Sequence, residues 1–117
     1  MRDFRTLKVW EKAHLLTLKI YKVTEKYPKE ELYGLTSQIR RACVSIPTNI
    51  AEGCVRSSDA DFARFLYIAL GSTSELEYLI LLSKDLKFID NELQVELNIE
   101  INEIKKMLIS MIQKLKA

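Results

Sequence analysis

The longest helical pattern in the chain lies in residues 59–86, which read DADFARFLYIALGSTSELEYLILLSKDL. Apolar or small side chains recur there at alternating spacings of three and four residues, at Phe62, Phe65, Ala69, Ser72, Leu76, Leu79, Ser83 and Leu86. This spacing is typical of the seam along which a helix packs in a bundle. Ser58, followed three residues later by Asp61, forms a weak capping box, so we expect the helix to begin just after Ser58.

Three other segments carry the same periodicity: about residues 6–26, a second that begins at about residue 30 or 35 and ends at 55, and 91–116. Their apolar stripes are Val9, Ala13, Leu16, Ile20, Val23 and Tyr27; Leu35, Ile39, Ala42, Ile46, Ile50 and Gly53; and Leu93, Leu97, Ile101, Ile104, Leu108, Met111 and Leu115. A second row in the first segment, at Leu7, Trp10, His14, Leu18 and Tyr21, is expected to widen its buried face. Four segments of similar length with short connections predict an all-α fold: an up-and-down antiparallel four-helix bundle, one domain over residues 1–117.

Length and composition agree with this interpretation. The chain has 117 residues, 48% of them apolar, with 3 Gly and 2 Pro. So few turn-forming residues argue against an all-β protein. The longest uninterrupted aliphatic run has only four residues, from Leu79 to Leu82, so we expect no membrane partner. The charged start lacks the apolar core of a signal peptide, and the expected location is the cytoplasm.

Charge is unevenly distributed along the chain. Residues 1–58 hold 11 Lys or Arg and 6 Asp or Glu, a net charge of +5, whereas residues 59–117 hold 7 and 10, a net charge of −3. A lysine stripe, defined as Lys8, Lys12, Lys19, Lys22 and Lys26, follows one side of the first helix. A glutamate stripe, defined as Glu92, Glu96, Glu100 and Glu103, follows one side of the fourth. Three interpretations remain open: solvated faces, a phosphate-binding basic face, or stripes that meet between subunits.

Several apolar residues fall outside the four stripes. They are Leu15, Val44, Tyr67, Ile68, Tyr78, Val95, Ile99 and Ile109. A monomer of this size cannot cover all of them, and apolar positions left over on several helices indicate a second contact surface. The sequence therefore predicts self-association.

The inventory of catalytic residues is small. His14 is the only histidine and is expected to lie in the core or at an interface, and the glycines are too scattered for a phosphate-binding loop. Cys43 and Cys54 lie 11 residues apart on one helix, too far for a disulfide, and are expected to be buried small residues. Glu11 and His14 form a single Glu-x-x-His unit, whereas a di-iron bundle needs two. We therefore expect no enzymatic activity, no cofactor and no metal.

A polar series runs along the second helix at Gln38, Arg41, Ser45, Asn49 and Glu52, beside its apolar stripe. If this side were buried, Arg41 would need a carboxylate from Glu52 or Glu75. We therefore expect a buried polar network that fixes the register of the helices; a ligand pocket and an assembly interface are the alternatives. Pro47 lies inside this helix and is expected to kink it, because proline has no N–H to donate to the carbonyl of Cys43.

The same residues resemble a known family. Residues 27–42, 44–53 and 62–77 read YPKEELYGLTSQIRRA, VSIPTNIAEG and FARFLYIALGSTSELE. They closely resemble the bacterial four-helix-bundle family encoded in intervening sequences of large-subunit ribosomal RNA genes. The family motif falls on Gln38, Arg40, Arg41, Ser45, Pro47, Asn49, Glu52, Gly53, Arg56, Gly71, Ser72 and Glu75.

The resemblance implies a bundle that assembles into a ring-like homopentamer, with no catalytic role for any motif residue. The location in ribosomal RNA genes implies RNA binding, for which the lysine stripe, with Arg2 and Arg5 nearby, is the candidate site. Related bundles are accessory proteins of reverse transcriptases in diversity-generating retroelements, which implies a protein partner. The expected function is thus an RNA-binding or scaffold protein, with a protein-interaction ring as the alternative. A metal protein or enzyme is a third hypothesis, built on the pair Glu11 and His14 and on the cluster of Arg41, Glu52 and Glu75.

Overall fold

The fold is all-α, as the sequence predicts. The computed structural model describes residues 2–116, which contain four long helices and no strand. The helices are α1 (Lys8–Thr24), α2 (Leu35–Cys54), α3 (Asp59–Asp85) and α4 (Asn91–Lys116). Single-turn 3-10 helices at Phe4–Thr6 and Lys29–Glu31 precede α1 and α2. The structural bounds differ from the predicted segments by about two residues at the ends of α1 and by one at the ends of α2 and α3.

Contacts between neighbouring helices show that the bundle is antiparallel. In each neighbouring pair, residue numbers rise along one helix as they fall along the other. The pairs are Thr17–Cys43 and Tyr21–Arg40 for α1 and α2, Ser45–Ser72 and Gly53–Phe62 for α2 and α3, Tyr67–Lys116 and Glu77–Lys105 for α3 and α4, and Lys12–Glu103 and Lys19–Glu96 for α1 and α4. The up-and-down prediction is confirmed, and the helices follow one another around the bundle in chain order.

Local signals explain where α3 begins and ends. The Ser58 hydroxyl oxygen accepts a hydrogen bond from the Asp61 backbone N–H at 3.1 Å, which confirms the predicted cap. At the other end, Lys87 has a φ of 67°, and the Phe88 N–H donates to the Ser83 carbonyl at 2.9 Å. This is the geometry in which a left-handed residue closes a helix and satisfies its last carbonyls.

The four predicted stripes meet in the core, but α1 buries a narrower face than predicted. Val9, Ala13, Leu16 and Ile20 are buried. In the second row of α1, His14, Leu18 and Tyr21 are exposed, so the prediction of a wide buried face is wrong. The reason is geometric: the row lies on the outer edge of α1 beside α2, and the two helices alone cannot enclose it.

Pro47 is buried inside α2, and the helix continues past it to Cys54. The Cys43 carbonyl, which cannot receive a hydrogen bond from Pro47, has the Thr17 hydroxyl of α1 3.5 Å away. Pro47 leaves the Cys43 carbonyl without a backbone donor, and the neighbouring helix α1 brings a hydroxyl close to that carbonyl.

The bundle measures 43 × 23 × 20 Å, which matches helices of 26 and 27 residues at about 1.5 Å per residue. By length and composition, α3 is long and apolar enough to cross a membrane. The sequence prediction considered only uninterrupted aliphatic runs and missed this property. Core helices of soluble proteins have the same property, and α3 packs against both α2 and α4.

Candidate interaction surfaces

The polar series of α2 lies on the outside of the bundle. Gln38, Arg41 and Glu52 are exposed, and so is Glu75 on α3. Within residues 2–116, Arg41 makes no ion pair with Glu52, Glu75 or any other carboxylate. The predicted buried network around Arg41 is therefore wrong for a single chain: Gln38, Arg41 and Glu52 face outwards, and only Ser45 and Asn49 of the polar series reach the contact between α2 and α3.

A smaller set of polar contacts joins α2 to α3. The hydroxyls of Ser45 and Ser72 are hydrogen-bonded at 2.8 Å across the two helices. The Asn49 side-chain amide donates to the Ser45 carbonyl at 2.8 Å and lies 3.0 Å from its hydroxyl. All three residues are half-buried. Their hydrogen bonds fix the position of α2 along α3. The predicted role of the polar series in fixing helix register is therefore limited to this contact.

The two motif glycines differ sharply in their surroundings. A Cβ on Gly53 would lie 2.7 Å from Phe62 and 3.0 Å from Phe65, so this position needs glycine for α2 and α3 to pack closely. A Cβ on Gly71 would meet nothing within 4 Å, and Gly71 is exposed in the middle of α3. Glycine in a helix interior costs up to about 1 kcal/mol relative to alanine. Nothing inside one chain accounts for that cost at Gly71.

Two motif arginines, Arg40 and Arg56, and the nearby Arg64 cover aromatic rings. The Arg40 guanidinium lies 4.6 Å from the ring centre of Tyr21, and its Nε donates to the Thr24 hydroxyl at 2.9 Å. Arg56 and Arg64 lie 4.4 Å and 4.7 Å from the ring centre of Phe65. Cation–π contacts of this kind stabilise partly exposed rings. These arginines therefore close the outer edges of the core, whereas Arg41 makes no cation–π contact and no ion pair within residues 2–116.

All eight apolar residues that the sequence leaves outside the stripes are exposed, as predicted. Tyr33, which the prediction missed, is the most exposed of the large apolar side chains at 94%. A groove of about 630 Å³ lies between the outer sides of α1 and α2 and opens beside this tyrosine. Its wall includes Tyr21, Leu32, Tyr33, Arg41 and Val44.

The lysine stripe and the glutamate stripe meet within one chain. Lys12 Nζ lies 2.9 Å from a Glu103 carboxylate oxygen, and Lys19 Nζ lies 2.7 Å from Glu96 and 2.8 Å from Glu100. Hydrogen bonds and attraction from these carboxylates raise the pKa of both lysines. The stripes thus bind α1 to α4, and these pairs satisfy the charge complementarity that the sequence analysis also considered between subunits.

The other three lysines of the stripe remain available. Lys8, Lys22 and Lys26 are exposed, and none of them has a carboxylate partner among residues 2–116. They lie towards the two ends of α1. A phosphate-binding face on α1 therefore contains three free cations, and not five.

His14 lies outside the core, in an aromatic stack that the sequence analysis missed. The ring centres of Phe4 and Trp10 are 4.8 Å apart, and those of Trp10 and His14 are 5.0 Å apart with an interplanar angle of 8°. The Arg5 guanidinium covers Phe4 at 4.5 Å. The four-residue spacing of Trp10 and His14 on a helix was the available signal. Exposure of His14 rules out its predicted core position and leaves the interface alternative.

Neither thiol is in a reactive environment. Cys43 and Cys54 are buried and unpaired, as predicted. Burial raises the pKa of Cys43 to about 11 and also raises that of Cys54. Thiols in such surroundings stay protonated and react slowly. Within the part of the chain that the structure describes, no three His, Cys, Asp or Glu residues are grouped as a metal site.

These features define a class: a small antiparallel four-helix bundle with a hydrogen-bonded α2–α3 contact and large exposed apolar surfaces. The chain belongs to the 23S rRNA-intervening sequence protein family, whose model matches residues 5–110. A solved structure of a protein with unknown function from the S23 ribosomal protein family of Bacteroides thetaiotaomicron is 33% identical. The match covers 89% of this chain and 97% of that one, with a TM-score of 0.80. No curated protein matches the chain.

Proposed function

We propose that the chain is a self-associating helical scaffold that acts by binding and not by catalysis. The observation that carries the proposal is the exposure of large apolar side chains on every helix of one copy, including Leu18, Val44, Tyr78 and Ile99. Single exposed apolar residues are ordinary, but a molecule of this size that exposes so many large ones, on all four helices, is typical of a subunit. The family resemblance implies a ring of five copies.

Sedimentation equilibrium across a wide concentration range tests this proposal. We expect a single assembly well above the 13.6 kDa of one chain, dissociating only on strong dilution. A protein that remains monomeric at the highest concentration would contradict it. Native mass spectrometry then counts the subunits, and a number other than five would contradict the ring that the resemblance implies.

Nucleic-acid binding is the second candidate, supported by the three free lysines of α1, Lys8, Lys22 and Lys26. Several copies would multiply weak phosphate contacts by avidity. Binding of fluorescent RNA, single-stranded DNA and duplex DNA is measured across salt concentration. Each neutralised phosphate adds about −0.7 to −0.9 to the log–log slope. We expect a preference for RNA, because of the gene location that the family's description implies.

Variants of the lysine stripe make this test specific. Replacement of Lys8, Lys22 and Lys26 by Glu should abolish RNA binding while the assembly persists. Replacement of Lys12 and Lys19 by Gln is the matched control, because both lysines are already held by carboxylates of α4 and should contribute little. Unchanged affinity in the triple variant would exclude this face, and no binding at low salt would favour a scaffold for a protein partner.

A further inference from the structure

Two neighbouring surfaces of one copy match each other in height and charge. The notch surface is the outer face of α3, defined as Tyr67, Ile68, Gly71, Glu75 and Tyr78. The groove surface is the outer side of α1 and α2, defined as Tyr21, Leu32, Tyr33, Arg41 and Val44. All of these residues except Gly71 project large or charged side chains, and all are exposed.

The hydrogen bond between Ser45 and Ser72 shows which residues of α2 and α3 lie at the same height along the bundle axis. Because α2 and α3 are antiparallel, one turn from Ser45 towards the start of α2 and one turn from Ser72 towards the end of α3 lead in the same direction. Arg41 and Glu75 therefore lie at the same height on the bundle. Val44 and Gly71 each lie one residue from the bonded serines, in opposite directions along the bundle, so their heights differ by only about 3 Å.

The pairing of α1 with α2 extends the match by one more position. Tyr21 contacts Arg40, so it lies at nearly the same height as Arg41. One turn beyond Glu75 along α3 is Tyr78. Tyr21 and Tyr78 thus differ in height by less than about one turn, and within that distance the groove surface and the notch surface each present an aromatic ring, a charge and an apolar contact point.

We propose that the notch surface of one copy docks on the groove surface of a second copy, with Val44 against the open flank of Gly71 and Arg41 paired with Glu75. Tyr21 and Tyr78 pack together beside that pair. This inference rests on the proposed self-association and names the two surfaces that carry it. The occupant is a second copy because the charges are complementary at equal height, so that a rotation about an axis parallel to the helices brings them together.

Gly71 explains why the contact is close. With no side chain at this position, the neighbouring helix can approach the α3 backbone, and nothing in the same chain fills that space. The cost of a glycine in mid-helix is then offset by the contact that it permits. Because the two surfaces are different and lie on neighbouring sides of the bundle, the contact is head-to-tail, the type that closes into a ring.

A charge-reversal series tests the docking. Arg41→Glu and Glu75→Arg should each raise the dissociation constant of the assembly at least about tenfold, because each places like charges opposite each other. The double variant restores opposite charges and should recover assembly. Lys22→Glu and Glu92→Arg, which reverse charges outside both surfaces, are the matched controls and should assemble normally.

A steric variant gives an independent reading. Gly71→Leu adds a side chain where one copy has open space, so circular dichroism should show an intact bundle while sedimentation shows dissociation. If the unmodified protein is monomeric, self-association and docking both fail. If it assembles and the single variants assemble equally well, only the docking is overturned. A double variant that stays dissociated overturns the pairing of Arg41 with Glu75.

Discussion

Phe62 lies so close to Gly53 that a Cβ on the glycine would stand 2.7 Å from the aromatic ring. Phe62 is almost completely buried, and Phe65, 3.0 Å from the same point, is also buried, so neither can move aside freely. We predict that Gly53→Ala lowers the free energy of unfolding by about 1–3 kcal/mol, the usual cost of overpacking. The loss outweighs the better helix propensity of alanine. Urea denaturation at a fixed protein concentration measures it.

Gly71→Ala is the control for that experiment. The new methyl group meets nothing within 4 Å, so the free energy of unfolding of a single chain should rise by up to about 1 kcal/mol. The measurement is made on diluted, monomeric protein so that assembly does not contribute. An equal gain at the two positions would show that α2 and α3 are not closely packed at Gly53.

The end of α3 offers a stabilising substitution. Lys87 is the only residue other than glycine with a positive φ, at 67°, among residues 2–116. A side chain is strained in this region, and glycine is not, so Lys87→Gly should raise the free energy of unfolding by about 0.5–1 kcal/mol. Thermal denaturation followed by circular dichroism measures the change.

Lys84→Gly is the matched substitution inside the last turn of α3. Helical backbone gains nothing from glycine, and this variant should lose about 1 kcal/mol. A loss in both variants would contradict the left-handed geometry at Lys87.

Lys19 holds two carboxylates of α4 at once. Its Nζ lies 2.7 Å from Glu96 and 2.8 Å from Glu100, and both contacts raise the pKa of the lysine. A raised lysine pKa means that the contribution is complete at neutral pH and is lost as the pH rises through the lysine pKa in the folded protein. Lys19→Met should cost about 0.5–1 kcal/mol in low salt and less in high salt, as measured by urea denaturation.

Lys22→Met serves as the comparison, because Lys22 has no carboxylate partner in the described part of the chain. Its effect on the free energy of unfolding should be close to zero in both salt conditions. A salt-independent loss at Lys19 would indicate that its aliphatic stem, and not its charge, stabilises the contact with α4.

The fold was predictable because every helix carries a repeating apolar stripe, and stripe period is a local property of the sequence. The seam from Phe62 to Ser83 and the cap at Ser58 are examples in which local chemistry alone decides the structure. The antiparallel arrangement was predictable because the connections between consecutive helices are short, and short connections favour antiparallel neighbours. The exposure of Val44 and Tyr78 was also predictable, since four stripes of this width leave such positions outside.

The placement of the polar series was not predictable by the same reasoning. The sequence shows that Arg41 shares a side of α2 with Ser45 and Asn49, but not whether that side meets a neighbour. The prediction for the second row of α1 was wrong for the same reason: spacing alone suggested that the row was buried, and that His14 lay in the core or at an interface. A helix buries the side that its neighbours cover. That side depends on how the neighbouring helices are rotated about their axes, and the sequence of one helix does not determine their rotation.

Cys43 gives the chain a specific dependence on alkaline pH. Its pKa is raised from 9.0 to about 11 because burial disfavours the thiolate. Below pH 9 both states hold the proton and the full stability is present. Between the two pKa values only the unfolded chain releases it, so stability falls. The difference between these two pKa values corresponds to a loss of about 2–3 kcal/mol, complete once the folded protein also ionises.

The measurement compares the unmodified protein with Cys43→Ala in urea denaturation, in the presence of a reductant, from neutral pH to above the pKa of the buried thiol. The alanine variant loses packing at every pH, but it should lack the additional decline that begins near pH 9. Cys54→Ala is the control: it retains Cys43, so it should keep the additional decline that the Cys43→Ala variant lacks. Parallel curves for the unmodified protein and Cys43→Ala would show that the Cys43 thiol ionises as easily in the folded protein as in the unfolded chain.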